Sequence, residues 1–162
     1  MPVDADDFRR ALGQFAAGVT VVTTRDGQGR ALGLTVTAFC AVSLDPPLVL
    51  VCVDHRSETH VGFRHAGLFG VSILAEGQTD VCKRLATKEP DKFDSLSWVP
   101  APVTGSPLIA EAVAHIDCDL EQQHLAGDHW IVVGRVRHLA AHRDDADPLV
   151  FCRGAFGRHQ TL

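Results

Sequence analysis

The residues best suited to chemistry lie in two hydroxyl-bearing segments on either side of one apolar run. Gly33-Leu34-Thr35-Val36-Thr37-Ala38-Phe39 precedes it, and Asp54-His55-Arg56-Ser57-Glu58-Thr59 follows it. Small hydroxyls and backbone N–H groups converging on one spot form an anion site, and Ser57 also reads as a helix N-cap. Taken singly, Thr35 and Thr37 read equally well as ordinary strand residues and Ser57 as a cap alone. The remaining reactive side chains form no obvious constellation. His55, His60 and His65 are spaced by five, which does not place them on one helical face. A metal site is therefore not expected from them, and they read as surface residues near a rim. His129 follows Gly127-Asp128, a turn that sets a histidine at the start of a strand. The five cysteines (Cys40, Cys52, Cys82, Cys118 and Cys152) are odd in number and scattered, with no C-x-x-C pair. That suggests neither a disulfide framework nor a thiolate zinc site and fits a reducing cytoplasm.

Several elements must position these groups. Leu48 to Val53 is a short continuous apolar run, read as a strand covered on both faces. Asp45-Pro46-Pro47 before it is a tight turn, so a hairpin here would hold Thr35 and Thr37 near Ser57 and Thr59. Asp4, Asp6 and Asp7 suit the first turn of a helix in which Phe8, Leu12 and Phe15 recur at helical spacing. Its expected role is to pack on the body of the fold. Val19-Thr20-Val21-Val22-Thr23-Thr24 is β-branched and reads as a strand, and Asp26-Gly27-Gln28-Gly29 as a turn back towards Thr35. Ser57 to His65 reads as a short helix stopped near Gly67, Phe69 to Leu74 as a strand, and Thr79 to Ala86 as a helix. Trp98 to Pro107 reads as a loop. Ala112 to Leu120 alternates strictly, with His115, Asp117 and Asp119 opposite the apolar face, as in a half-exposed antiparallel strand. Gln122 to Asp128 reads as a connection and Trp130 to Leu139 as another strand. Short β-runs joined by turns, with a few helical patches, predict a mainly β barrel with peripheral helices.

Composition narrows the function classes. The 162 residues suit a single domain, 1–162, with a full-sized core. Hydrophobic residues make up 46% and charged residues 22%, which argues against disorder. A net charge of -5 offers no basic face for nucleic acid. No apolar run is long enough to span a bilayer, and no signal-peptide pattern opens the chain, so no membrane role is expected.

The order Gly33-x-Thr35-x-Thr37-x-Phe39, Val42-Ser43-Leu44-Asp45-Pro46-Pro47, Val51-Cys52-Val53-Asp54 and Ser57-x-Thr59 resembles the flavin reductase family. The phrase from Phe8 to Val22, the block from Leu85-Ala86 to Asp91-Lys92-Phe93, Gly127-Asp128-His129 and the ending from Pro148 to Gly157 extend the resemblance over nearly the whole chain. It implies a split β-barrel that uses NADH or NADPH to reduce FMN or FAD and feeds a partner monooxygenase, as a homodimer with flavin near the subunit boundary. The flavin contacts it implies are Thr35, Val36, Thr37, Ala38, Cys52, Val53, Asp54, Ser57, Glu58, Thr59 and Phe156. Lys83 or Arg84, otherwise solvated charges, becomes a candidate phosphate partner. His129 becomes the residue beside the flavin and the incoming nicotinamide. Two departures stand out. Ala38 replaces a frequent Ser, and Phe156 carries no hydroxyl in a chain without tyrosine. Two other readings share the barrel: an oxidase of the pyridoxamine-phosphate type, and a non-catalytic flavin-binding protein. A basic cluster around His129, which the sequence lacks, would favour the first, and absence of NADH turnover the second. No G-x-G-x-x-G follows a strand, so the nicotinamide nucleotide must bind without a Rossmann unit.

Overall fold

The structure, a computed structural model, describes residues 3–141 and 146–161. In chain order its elements are α1 (Ala5–Leu12), β1 (Ala17–Gly18), β2 (Thr20–Arg25), β3 (Ala31–Val36), β4 (Phe39–Leu44), β5 (Pro47–Asp54) and α2 (Glu58–Ala66). β6 (Leu68–Ile73), α3 (Thr79–Leu85), β7 (Trp98–Pro100), β8 (Pro107–Ile109) and β9 (Ala114–Ala126) follow. β10 (His129–Ala141), β11 (Leu149–Cys152) and β12 (Ala155–Arg158) complete the set.

Seven strands form one antiparallel sheet in the order β3-β2-β6-β9-β10-β5-β4. Its two edges, β3 and β4, are consecutive in the chain and joined only by Thr37 and Ala38. Laid flat at about 4.8 Å per strand, the edges would lie about 29 Å apart. A two-residue link spans about 10 Å at most. The sheet therefore has to curl until its edges meet at that corner. The result is the mainly β, split-barrel architecture that the sequence resemblance implies. A smaller sheet, β1-β11-β12, and the β7–β8 hairpin lie outside it.

β2 shows why the core has two parts. Thr20 to Thr24 are all buried, and alternate residues point to opposite faces. Val22 joins Val51, Val53, Phe63, Phe69 and Val132 in one cluster, while Val19 and Val21 join Leu74, Leu85, Ile109 and Leu149 in the other. The threonines of this strand are satisfied locally, as where Thr20 Oγ1 donates to the Val36 carbonyl at 2.7 Å.

Five expectations need correction. α1 buries none of its residues, and Phe8, Leu12 and Phe15 are exposed, so it does not pack on the barrel of its own chain. His115 and Asp117 are buried rather than half-exposed. The 101–106 segment folds over that face, and Asp117 Oδ2 accepts the backbone N–H groups of Val103 and Thr104 at 2.9 and 3.1 Å. That segment links β7 to β8, so Trp98 to Pro107 is a hairpin arm as well as a loop. β9 also runs on to Ala126, leaving only Gly127 and Asp128 between it and β10. Gly127 adopts φ +65°, a conformation that suits glycine at the head of a two-residue hairpin.

The fifth correction is His60, which is buried. Its ring stacks on Trp130 with centroids 4.8 Å apart and an 11° interplanar angle, and Nε2 donates to Gln123 Oε1 at 3.2 Å. α2 is thereby fastened to β9 and β10. Burial pushes the His60 pKa below its ordinary value. As pH falls below about 6.5 the unfolded chain takes up this proton before the folded one does. The unfolded state then binds more protons, so stability must fall with pH in that window, by at most about 1.4 kcal/mol per pH unit for one proton. Urea melts at pH 7.5 and 5.5 should show that loss in the parent. His60→Phe, which keeps a ring against Trp130, should show less of it. An equal loss in both proteins would assign the effect to other groups.

Candidate functional site

The site is built where β5 runs into α2. The Asp54 carboxylate accepts the Arg56 backbone N–H at 2.8 Å and its guanidinium at 3.1 and 2.7 Å. This closes the turn and holds Asp54 far below the usual carboxylate range. Ser57, extended at φ -73° and ψ 129°, caps the helix: its Oγ accepts the Thr59 N–H at 3.2 Å. The first turn thus presents N–H groups and the positive end of the helix dipole at the barrel rim. Gly62 lets α2 approach closely. A Cβ there would stand 2.7 Å from Thr24 Cγ2 and 2.8 Å from Leu32 Cδ1.

The opposite wall comes from α3 and the 86–92 segment. Thr35 Oγ1 donates to the Cys82 carbonyl at 2.7 Å, tying β3 to the end of α3. Arg84 donates to the carbonyls of Lys92 and Asp91 at 2.7 and 3.1 Å, bracing the segment from behind. Lys92 Nζ donates to the Thr87 carbonyl at 3.1 Å and the Leu85 carbonyl at 3.5 Å. Burial lowers its pKa while Glu58 opposes that shift. An ammonium has three N–H donors, so one remains for an anion.

Between these walls lies a cavity of about 440 Å³. Leu32, Leu34 and Leu85 give it apolar surface, while Thr35, Asp54, Ser57, Glu58, Thr59 and Lys92 give it polar groups. Apolar surface for a flat ring beside a helix N-terminus and an ammonium for a phosphate is the donor set a flavin nucleotide needs, and the volume is that of a small-molecule site. The residues fit the group.

The structure therefore brings Thr35, Asp54, Ser57, Glu58 and Thr59 together on one cavity. It places the other candidates elsewhere. Val36 and Val53 point into the core. Thr37 and Ala38 form the exposed corner, where the Ala38 carbonyl accepts the half-buried Cys52's N–H at 3.0 Å. Lys83 and Arg84 do not line the cavity, and Arg84 spends its donors on carbonyls. Phe156 sits in β12 against Phe151, ring centroids 5.4 Å apart, on the smaller sheet. His129 opens β10 directly opposite Asp54, one strand from the cavity wall. Its Nδ1 donates to Asp128 Oδ1 at 2.7 Å, which lowers the Asp128 pKa. Sequence reasoning missed Lys92, Lys88 and Arg56 as lining groups. Lys92 carried a signal, since it stands inside the Asp91-Lys92-Phe93 block.

Residues 12–160 match the family described as flavin reductase like domain. The chain is 43% identical over 154 residues to the reductase subunit HsaB of a flavin-dependent monooxygenase from Rhodococcus jostii (strain RHA1), covering 95% of this chain and 77% of that protein. It superposes on the NADH:FAD oxidoreductase SgcE6 of Streptomyces globisporus C-1027 with a TM-score of 0.92 at 36% identity, covering 99% of this chain and 96% of that one. BorF, the flavin reductase component of a bacterial two-component tryptophan halogenase, gives a TM-score of 0.89 at 37% identity, covering 98% and 100%. Matched over residues 12–160 and 43% identical over 154 residues to a curated relative, this chain belongs to the flavin reductase-like family.

Proposed function

We propose that this protein, acting as one domain, is an NADH:flavin oxidoreductase that supplies reduced flavin to a partner flavin-dependent monooxygenase. The observation that carries the reading is the groove itself. The capped N-terminus of α2, the Lys92 ammonium and the leucines of β3 and α3 converge in one cavity. Hydride transfer is chemistry that the nicotinamide and flavin rings supply when bound. The chain's task is to hold, align and dry the site. Ser57, Thr59 and Lys92 take the phosphate, and Leu32, Leu34 and Leu85 exclude water from the ring. Asp128 accepts from His129 Nδ1 and so fixes that imidazole at the strand end, where it aligns the nicotinamide. No helix among the described residues is long and apolar enough to cross a membrane, and the free cysteines fit the cytoplasm in which we place the protein.

A homodimer is part of this reading. Phe8 in α1 and Phe15 after it, and Val42 and Leu44 on edge strand β4, leave apolar side chains in water, Leu44 at 96% exposure. Such surface is expected to be covered by a second copy. Sedimentation equilibrium at micromolar concentration should return a dimer, and a monomer with full activity would overturn this part.

Two sets of variants test the site. Ser57→Ala with Thr59→Ala should weaken FMN binding by about 1–3 kcal/mol, from lost hydrogen bonds to a charged phosphate. Riboflavin has no phosphate, so its affinity should stay near the parent value. FMN affinity unchanged by fluorescence titration would remove these residues from the site. His129→Ala should leave flavin affinity alone and slow reduction by NADH on the order of 10²-fold. Anaerobic stopped-flow at saturating NADH isolates that step, and a parent-like rate would make His129 an ordinary strand-end residue. Steady-state oxidation of NADH and NADPH with FMN, FAD and riboflavin tests the activity itself.

A further inference from the structure

His55 has no task in the site as described so far. It lies between Asp54 and Arg56, which both line the flavin groove, yet it does not line that groove itself. Its backbone N–H and its ring Nδ1 instead reach the same atom, the carbonyl oxygen of Asp128, at 3.0 and 2.7 Å. A carbonyl only accepts, so Nδ1 carries a proton and donates it. The Asp54 carboxylate stands 3.8 Å from the same nitrogen, beyond hydrogen-bond reach. The two bonds fill both lone pairs of the Asp128 oxygen. They carry the contact between β5 and β10 past its last ladder pair, Asp54 with His129.

We propose that His55 is a positioning residue for hydride transfer: it clamps the turn that carries His129 to the rim of the flavin groove, and acts through His129. The proposal rests on the reading that sets His129 against the nicotinamide. Three observations carry it. The head of the β9–β10 hairpin is exposed from residue 124 to residue 129, and a Cβ on Gly127 would meet nothing within 4 Å. Packing therefore does little to hold it, and the bonds from His55 take that role. Asp128 is also the residue that orients the imidazole, since its Oδ1 accepts from His129 Nδ1 at 2.7 Å. Fixing the Asp128 carbonyl fixes the base of that carboxylate, and so the direction in which His129 presents Nε2. Finally, the turn that bears His55 is itself closed. Arg56 donates to Asp54 Oδ2 at 2.7 Å, and the Ser57 N–H donates to the Asp54 carbonyl at 3.0 Å. One closed turn thus carries Ser57 for the flavin phosphate and His55 for the strand end. Hydride transfer demands that the two rings keep near-contact geometry, and a shared rigid part meets that demand.

The test separates the clamp from both the groove and His129. The His55 side chain is 47% exposed, so it can be exchanged without disturbing the core. His55→Leu keeps bulk and removes the donor, whereas His55→Asn restores an N–H near the place of ring Nδ1. Anaerobic stopped-flow of the full-length protein with FMN, at saturating NADH, reads the reduction step, and fluorescence titration reads flavin affinity. His55→Leu should slow reduction about tenfold with the FMN dissociation constant within about twofold of the parent, and His55→Asn should recover most of that loss. Adding His55→Leu to His129→Ala should slow reduction no further, because one residue acts through the other. Several results would overturn the clamp while leaving the His129 reading in place: His55→Leu at the parent rate, His55→Asn as slow as His55→Leu, an FMN constant that moves with the rate, or losses that multiply in the double variant. A parent-like rate in His129→Ala would overturn both.

Discussion

The two-residue link between β3 and β4 is the constraint on which the rest of the molecule depends. It joins the opposite edges of a seven-stranded sheet, so the sheet cannot remain open. Closing the sheet brings the outer face of β3 towards the end of β5, two strands with no ladder between them. Only then do Thr35 of β3 and Ser57 after β5 face one cavity. The apolar interior gives the closure its driving force. Val22 and Val36 on one side of the barrel meet Val51, Val53 and Val132 from the other. Gly134 shows how tight that meeting is, since a Cβ on it would stand 2.7 Å from Phe69 Cε1. The Cys118 thiol, buried in the same cluster beside Asp117 and Asp119, is pushed up to about 12 and is inert at neutral pH.

Polar anchors then set the rim to the barrel. Asp117 fastens the 101–106 segment over the outer face of β9, and Thr35 fastens α3 to β3. Arg84 holds the 86–92 segment by its carbonyls, so that Lys92 comes to lie at the groove. Each anchor is a side chain bonded to backbone, which fixes loops whose own sequences lack regular structure. The His60–Trp130 stack does the same for α2 from below, with an aromatic face in place of a hydrogen bond.

The sequence made the barrel and the hydroxyl cluster readable for reasons that are local. β-branched runs, the Asp45-Pro46-Pro47 turn, the Ser57 cap and the Gly67 stop are short-range signals, and each stands where expected, with Gly67 in the left-handed conformation at φ 68°. What escaped depends on non-local packing. The alternation from Ala112 to Leu120 correctly describes two faces but cannot say that a distant loop covers the polar one. His60 falls on the inner side of a nine-residue helix, where only the tertiary fold decides that it meets Trp130. α1 has an apolar stripe, yet nothing within the chain buries it. Lys83, Arg84 and Lys92 are all basic, and only the path of the segment after α3 selects Lys92 for the groove.

That selection bears on how the site works. An arginine fork grips a phosphate with two parallel hydrogen bonds, whereas a lysine acts as a point charge. In this groove both nearby arginines are committed elsewhere, Arg56 to Asp54 and Arg84 to the carbonyls behind Lys92. The cations that line it are lysines, alongside Arg56 with its ion pair, and the remaining donors are hydroxyls and helix N–H groups. Lys92 is held to the protein by two carbonyls and part-buried, so it is placed in advance and needs no reordering to meet an anion. Such a groove offers single donors and point charges rather than a bidentate grip. An enzyme that hands its reduced product to another protein must release it in every turnover, and a groove built from single hydrogen bonds and point charges meets that demand where a forked clamp would oppose it.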